Sequence, residues 1–415
     1  MVARLFSCLG RGLVLAALSC GPDLPGDVTG GDATGDTSTD ATTTLVPTGS
    51  TGTDGPGSTE GESSGGVPPF DPCAAGEVVT MAEARDFVSL HLFADTHGWQ
   101  LALQPRASAH ATPAGMRFVR PGADPVFLDA VDKDFVAVLQ TAEGVLVCWD
   151  DGTISKARDH GFCMATDEQL QPVSDVLQVA YRQVQRLVEF PDVRYALADN
   201  GIWPIDGHGA PVGEPLMFDA WPLAFGADWL LGGRFVDPAC PFPEENALCT
   251  LEYAPFDPHG QQLAPFLPLS DNTLPFSGQL YAAISGDNYV VAWTKGGPWE
   301  MRVVTRESEL VHAETLEFEI AAVFAASQGF VFVVLLGEYP GEQALGLWPF
   351  DVTGSALSPP VVIGEIAADA HLHAVQIVPS AGGLAAAWVT GSGILDKERE
   401  VAFFRALGCD WPPAP

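Results

Sequence analysis

The sequence predicts an all-β chain folded as a seven-bladed β-propeller. A repeated phrase, its period and the burial pattern of its strands predict this. Residues 202–212 read IWPIDGHGAPV, 253–263 read YAPFDPHGQQL and 347–357 read LWPFDVTGSAL. Pro204, Pro255 and Pro349 align, as do Asp206, Asp257 and Asp351, then Gly209, Gly260 and Gly354. Successive glycines are 51 and then 94 residues apart, and the longer gap holds a worn copy at 303–310 with Ser308 in the glycine place. A period of about 47–51 residues is that of a four-stranded blade. The third observation is a set of continuous apolar runs: YVVAW at 289–293, LAAAW at 384–388, VLVCW at 145–149 and FVFVV at 330–334. Strands without alternation are buried on both faces, which suits sheets stacked between other sheets and excludes a sheet with one wet face.

Each phrase reads as a turn joining two strands. Asp bonds the backbone two residues on, and Gly takes a positive φ that other residues resist. Apolar residues on both sides make the copy a hairpin.

Composition agrees with this class. The chain has 415 residues, 47% of them apolar and only 17% charged, with 44 Gly and 34 Pro. Few segments show a 3.6-residue period. The best helix candidate is 173–188, apolar at 173, 176, 177, 180, 184, 187 and 188, with a pair of strands as the competing reading. The net charge of −34 leaves no basic stripe to release counterions, so no nucleic acid or anionic membrane surface is expected as a partner.

The folded region is 73–415, or 343 residues, which a period near 49 divides into seven. The expected blades are 85–125, 130–172, 175–218, 219–270, 275–318, 320–364 and 366–409. The sixth supplies four strand candidates: 321–326, 330–336, 344–350 and 361–366. The seventh supplies three, 372–378, 384–389 and 400–407, and the prolines after Cys409 forbid a fourth central strand. The run EVVTM at 77–81, ahead of the first blade's own strand at 87–93, is expected to supply it and close the ring.

Two segments precede the propeller. Residues 1–20 carry Arg4 and Arg11, a short apolar core at 13–18, then small residues and Cys20. This reads as an export signal, too short for a spanning helix. Residues 21–72 are Gly, Thr, Ser, Asp and Pro, with nine acidic residues and no Lys or Arg. Such a tract cannot bury enough apolar surface to order itself and reads as a flexible linker. The ending Ala17-Leu18-Ser19-Cys20 resembles the lipobox of bacterial lipoproteins. That resemblance implies acylation of Cys20, cleavage before it, and a membrane partner held through the lipid. Ala17 stands where the family more often has Leu. Gly21 in place of Asp implies the outer membrane or cell surface.

Six cysteines remain beyond Cys8 and Cys20, and in an exported chain they suggest disulfides. Cys148 and Cys163 bracket a turn, and Cys240 and Cys249 bracket a loop, so each pair is expected to bond. Cys73 lies just before the closing strand and Cys409 just after the last one. The expected Cys73–Cys409 bond locks the seam. No C-x-x-C occurs, so zinc and dithiol chemistry are not expected.

The search for catalytic chemistry returns little. Gly61-Glu62-Ser63-Ser64-Gly65 fits G-x-S-x-G, but no strand precedes it and no helix follows, as a nucleophile elbow requires. His371 and His373 would share a strand face, but no third metal ligand is identifiable. His208 and His259 occupy the same turn place in two copies, so turn chemistry explains them. Trp149-Asp150 occurs once, whereas WD40 arrays repeat that dipeptide. Trp149, Trp293 and Trp388 recur within the repeat and read as core. Residues 285–288 faintly resemble the sialidase Asp-box without its Gly. No catalytic residue, metal or cofactor is assigned.

The chain therefore reads as a monomeric, lipid-anchored envelope protein whose propeller binds or scaffolds an unknown protein or glycan. An enzyme acting on glycans at the channel mouth and a purely structural envelope component are the competing readings. Palmitate supplied to producing cells should label the wild type and not Cys20→Ser; label retained by that variant would exclude the anchor.

Overall fold

In a computed structural model, the described residues run from 77 to 407. Short connecting stretches are excepted, the longest being 106–115, 129–135, 151–160, 237–247 and 393–399. The signal, Cys20, the linker, the 61–65 string and the Cys73–Cys409 bond lie outside them, as does Cys240 and with it the Cys240–Cys249 bond.

The described chain is all-β and forms seven antiparallel blades, six of four strands and one of three. The first runs from Phe87–Asp95 at its inner edge to Val126–Leu128 outside, and the second from Ala137–Thr141 to Leu177–Val179. The third has Arg186–Glu189, Arg194–Ala198 and Gly201–Ile205, with a single Ile202–Leu216 bridge where the fourth strand would lie. The fourth spans Trp221–Phe225 to Leu267–Pro268, and the fifth Gln279–Ser285 to Leu310–Leu316. The sixth spans Glu319–Ala326 to Val361–Ile366. The seventh holds Ala370–Ser380, Gly383–Ser392 and Glu400–Leu407.

The seventh blade is completed from the other end of the chain. Val79–Ala84 pairs antiparallel with Glu400–Leu407, Val79 opposite Phe404 and Ala84 opposite Glu400. The spare β-type run thus does close the ring, two to three residues later than the sequence places it.

One boundary needs correction. The described residues of 173–188 hold no helix. Leu177–Val179 is the outer strand of the second blade, and Arg186–Glu189 is the inner strand of the third. The two strands are not paired with each other; they belong to successive blades. Helical periodicity misled because half of the apolar set faces water: Val173 and Val176 are exposed, while Val184, Leu187 and Val188 are buried. The second blade accordingly extends to Val179, and the third starts later.

Burial follows the ring. Seven separate apolar clusters exist, each built from two neighbouring blades. One joins Leu90, Leu101 and Leu103 of the first blade to Ala385, Ala387 and Phe404 of the seventh, so the seam is packed like any other interface. The second strands of the blades carry the continuous apolar runs. Residues 289–293 are all at or below 1% exposure, buried on both faces. Trp149, Trp293 and Trp388 lie in these clusters as core residues.

The repeated phrase is the turn leaving each third strand. Asp206 Oδ1 accepts from the N–H groups of His208 and Ala210 at 2.9 Å, and Gly209 takes φ +86°. Asp257 does the same for His259 and Gln261, and Asp351 for Thr353 and Ser355. His208 and His259 therefore contribute backbone to the turn. The repeated proline fits because its carbonyl faces outward, where the carbonyls of Pro204, Pro255 and Pro349 accept from Val212, Leu263 and Leu357. A strand residue's N–H and C=O point to the same side, so the missing donor would have faced the turn and breaks no inner ladder bond.

Two further copies complete the set. Thr305 and Ser308 (φ +69°) form the fifth blade's turn, as the worn copy predicts. The second blade has a copy that spacing alone missed, with Asp167 Oδ1 accepting from Gln169 and Gln171 and Leu170 at φ +62° in the glycine place.

These turns carry the contacts between blades. A Cβ on Gly209 would lie 2.5 Å from Cys163 Cβ of the second blade, and one on Gly354 would lie 2.7 Å from Val303 Cγ2 of the fifth. Cys148 and Cys163 are bonded to each other beneath Gly209. Gly354→Ala combines a clash with an unfavourable φ and should destabilise by about 2–4 kcal/mol. Gly286→Ala has φ +60° but open space around it, and should cost only about 1 kcal/mol. Urea unfolding of both variants checks the difference, and equal effects would mean that the turn is not seated.

Candidate functional site

The inner strands of all seven blades surround a lumen of about 450 Å³. An inner strand has no partner on its lumen side, so its free N–H and C=O groups need other partners. Side chains from neighbouring blades supply some of them. Gln376 of the seventh blade accepts the Leu92 N–H of the first at 2.6 Å. His91 of the first blade lies 2.8 Å through Nε2 from the Val136 carbonyl at the start of the second. That contact makes Nε2 the donor. Burial pushes the His91 imidazole down to about 4, the bond to Val136 partly offsets this, and the charge of Arg186 adds to it. At neutral pH the ring is uncharged.

Arg186 of the third blade also reaches toward its neighbour, but without a carbonyl to bond. Its guanidinium stands over the Phe225 ring at 4.9 Å. It is exposed to the lumen yet ringed by the inner strands, and that enclosure lowers its pKa. No carboxylate bonds it among the described residues, and the described lining holds no Asp, Glu, Lys, Ser, Thr or Cys.

With this geometry in place, the likenesses to known proteins concern fold alone. No protein-family model and no curated protein matches the chain. Among solved structures, BamB from Moraxella catarrhalis is similar at 10% identity and a TM-score of 0.40, over 79% of this chain and 99% of BamB. The Dos1 propeller is similar at 10% identity and 0.40, over 80% and 96%. The computationally designed Ika8 protein is similar at 15% identity and 0.38, over 76% and 82%.

A second hollow, of about 440 Å³, lies between the fifth and sixth blades. Trp299, Phe318, Glu317 and Glu319 line it. Tyr281 stacks on Trp299 at 5.4 Å, and burial together with Glu319 raises its hydroxyl pKa. This hollow is not legible in the sequence, because Glu317, between the blades, and Glu319, at the start of the sixth blade's first strand, resemble any other surface acids.

The histidines considered as metal ligands have a structural setting. His373 falls at a bulge between Leu372 and Ala374, so alternation along the strand is broken there. Its Nδ1 lies 2.9 Å from Oε1 of Glu400, which is 1% exposed. His373 crosses the strand between them at Gly391, where a Cβ would come within 3.1 Å of Nε2. Among the described residues no group of three His, Cys, Asp or Glu stands ready for a metal. Residues 285–288, the Asp-box-like stretch, form a tight turn in which Asp287 accepts from the Arg306 N–H.

His91 generates a pH prediction. Its folded pKa, about 4, lies below the unfolded value, so protonation favours the unfolded chain. Stability should fall as pH drops from 6.5 toward 4, by about 2 kcal/mol at pH 4.5 relative to pH 7. His91→Gln keeps an N–H donor for Val136 and removes the titration. The loss of stability between pH 7 and pH 4.5, measured by denaturant unfolding, should be smaller in the variant by about that amount. Equal losses would refute the assignment.

Proposed function

We propose that this chain is an exported, lipid-anchored envelope protein whose propeller binds a ligand and does not transform it. The composition of the lumen is the observation that carries the reading. Its described lining offers recognition groups, an unpaired guanidinium, amides and aromatic faces, but no carboxylate and no Ser, Thr, Cys or Lys, and the Tyr281 hydroxyl that also lines it is held protonated by burial and by Glu319. General acid–base or covalent chemistry needs such groups within reach of the reacting atoms. His91 is the nearest candidate, but it is neutral, tied to Val136 and titrates near 4.

The anchor part of the reading is supported by the resemblance of residues 17–20 to a lipobox and by the acidic tract that follows. A chain of that composition and length has a reach of roughly 40 Å as a flexible tether.

A catalytic alternative draws on the hollow between the fifth and sixth blades, where Glu317 and Glu319 stand beside Trp299. Paired carboxylates with an aromatic platform are the groups glycoside hydrolysis uses. One experiment separates the two. The full-length protein, solubilised in mild detergent, is screened on glycan and peptide arrays and incubated in parallel with the glycans it retains. The proposal expects retention with each glycan recovered unchanged. Product formation that Glu317→Gln or Glu319→Gln abolishes would establish the enzyme instead.

A further inference from the structure

The lumen also indicates what kind of ligand it takes. This inference rests on the binding reading above and narrows it. Three observations converge. Arg186 is the charged residue of the described lining, and that lining holds no Asp or Glu to pair with it. The guanidinium carbon lies 4.9 Å from the centre of the Phe225 ring, an attraction that favours this position of the group. Gln376 spends its carbonyl on the Leu92 N–H, so its amide N–H groups remain as donors in the same lumen.

An unpaired arginine inside a protein of net charge −34 calls for explanation. The chain has 53 acidic residues that could have neutralised it. A guanidinium that faces a lumen ringed by protein, without a counter-charge among the described residues, leaves a positive site there for an anion to fill. Carboxylates on the outer surface cannot, since screening over about 8 Å at physiological salt isolates them from the lumen. Beside the arginine the inner strands present apolar side chains, with Val138, Phe225 and Phe324 half-buried in the lining, together with the uncharged polar Gln140, Gln185 and Tyr281. A volume near 450 Å³ lies within the range of pockets that enclose small organic molecules.

We propose that the lumen binds a small monocarboxylate with an apolar body, its carboxylate paired with Arg186 and its body against Phe225 and the inner strands. One arginine balances one negative charge. A carboxylate's two oxygens match the fork of guanidinium donors. A dianion such as phosphate would bring a second charge for which the described lining has no partner, since His91 is neutral. An apolar molecule without the carboxylate would leave the arginine unpaired.

Calorimetry on the full-length protein tests this with benzoate, 4-phenylbutyrate and octanoate, each beside its primary amide, and with inorganic phosphate. At least one carboxylate should bind with one-to-one stoichiometry, at least tenfold tighter than its amide and than phosphate. Arg186→Gln should weaken it at least tenfold, and Arg186→Lys should fall between. Arg306→Gln, whose arginine bonds Asp228 outside the lumen, should leave it unchanged.

A second readout locates the site independently of affinity. Binding at Arg186 masks the charge that helps hold His91 deprotonated, so the ring's NMR titration should move to higher pH on saturation. Binding by none of the carboxylates, equal binding of acid and amide, phosphate binding as tight as the best carboxylate, undiminished binding by a folded Arg186→Gln, or an unmoved His91 titration would each overturn the proposal. Any of these leaves the wider binding reading standing. That reading fails on product formation or on the absence of any retention in the array screen, neither of which these measurements involve.

Discussion

The structure depends on how the turn after each third strand seats on the blade before it. In the third and sixth blades the seated group is a glycine, pressed against Cys163 and Val303 of the preceding blade. In the fifth it is Ser308, whose hydroxyl donates to the Pro265 carbonyl of the fourth. In the fourth, His259 of the turn meets Asp192 of the third. In the second, the Glu168 carbonyl accepts from Arg120 of the first. The Asp or Thr at the head of the turn fixes the loop's shape, and the contact comes from the residue at positive φ in the third, fifth and sixth blades and from its neighbours in the turn in the second and fourth. A turn with its internal bonds made arrives at the neighbour already shaped, so little conformational entropy remains to be lost there. The blade-to-blade angle is set by this repeated contact as much as by the apolar clusters.

A ring built this way has no free sheet face. Both surfaces of every blade are covered by neighbours, which explains the continuous apolar runs, and the strand supplied from the N-terminal side covers the edge of the seventh blade. Exposed strand edges favour unwanted pairing. Here the innermost edges are enclosed in the lumen and partly capped by Gln376 and His91.

Much of this was legible because it repeats. The Pro–Asp–Gly phrase exposed three turns directly, and its spacing located the fifth blade's copy despite serine in the glycine place. The copy at Asp167 was hidden because Leu170 and Ala165 replace the glycine and proline, and only the Asp remained as a marker. The missing fourth strand of the last blade could be inferred because a blade count must close. The third blade was started too early because the second blade's outer strand, Leu177–Val179, is only three residues long and half-exposed, which leaves no apolar run to mark where the second blade ends. The lumen was not legible at all. Three of its polar residues, His91, Arg186 and Gln376, lie 95 and 190 residues apart in the chain, and only ring closure brings them to one cavity. Nothing local distinguishes Arg186 from an arginine on a solvated strand.

The same closure explains why chemistry is sparse in the described ring. Side chains on the middle strands are committed to the seven interfaces, where a polar atom must find a partner or be costly. The buried polar residues that do occur are bound into the frame: Glu400 holds His373 across Gly391, and Ser285 donates to the Ala326 carbonyl. Freedom to carry recognition groups is left to the inner strands, the connections between blades and the outer edges. Of these, the inner strands are the most rigid, because each is held through its own sheet against two packed interfaces. A group placed there keeps its position when a ligand arrives, and preorganisation of that kind lowers the cost of binding. Gln376 and His91 spend their polar atoms on capping the inner edge, whereas Arg186 rests on Phe225 and caps nothing. In a ring whose other described inner polar contacts serve the frame, that position separates a residue available for recognition from those that maintain the fold.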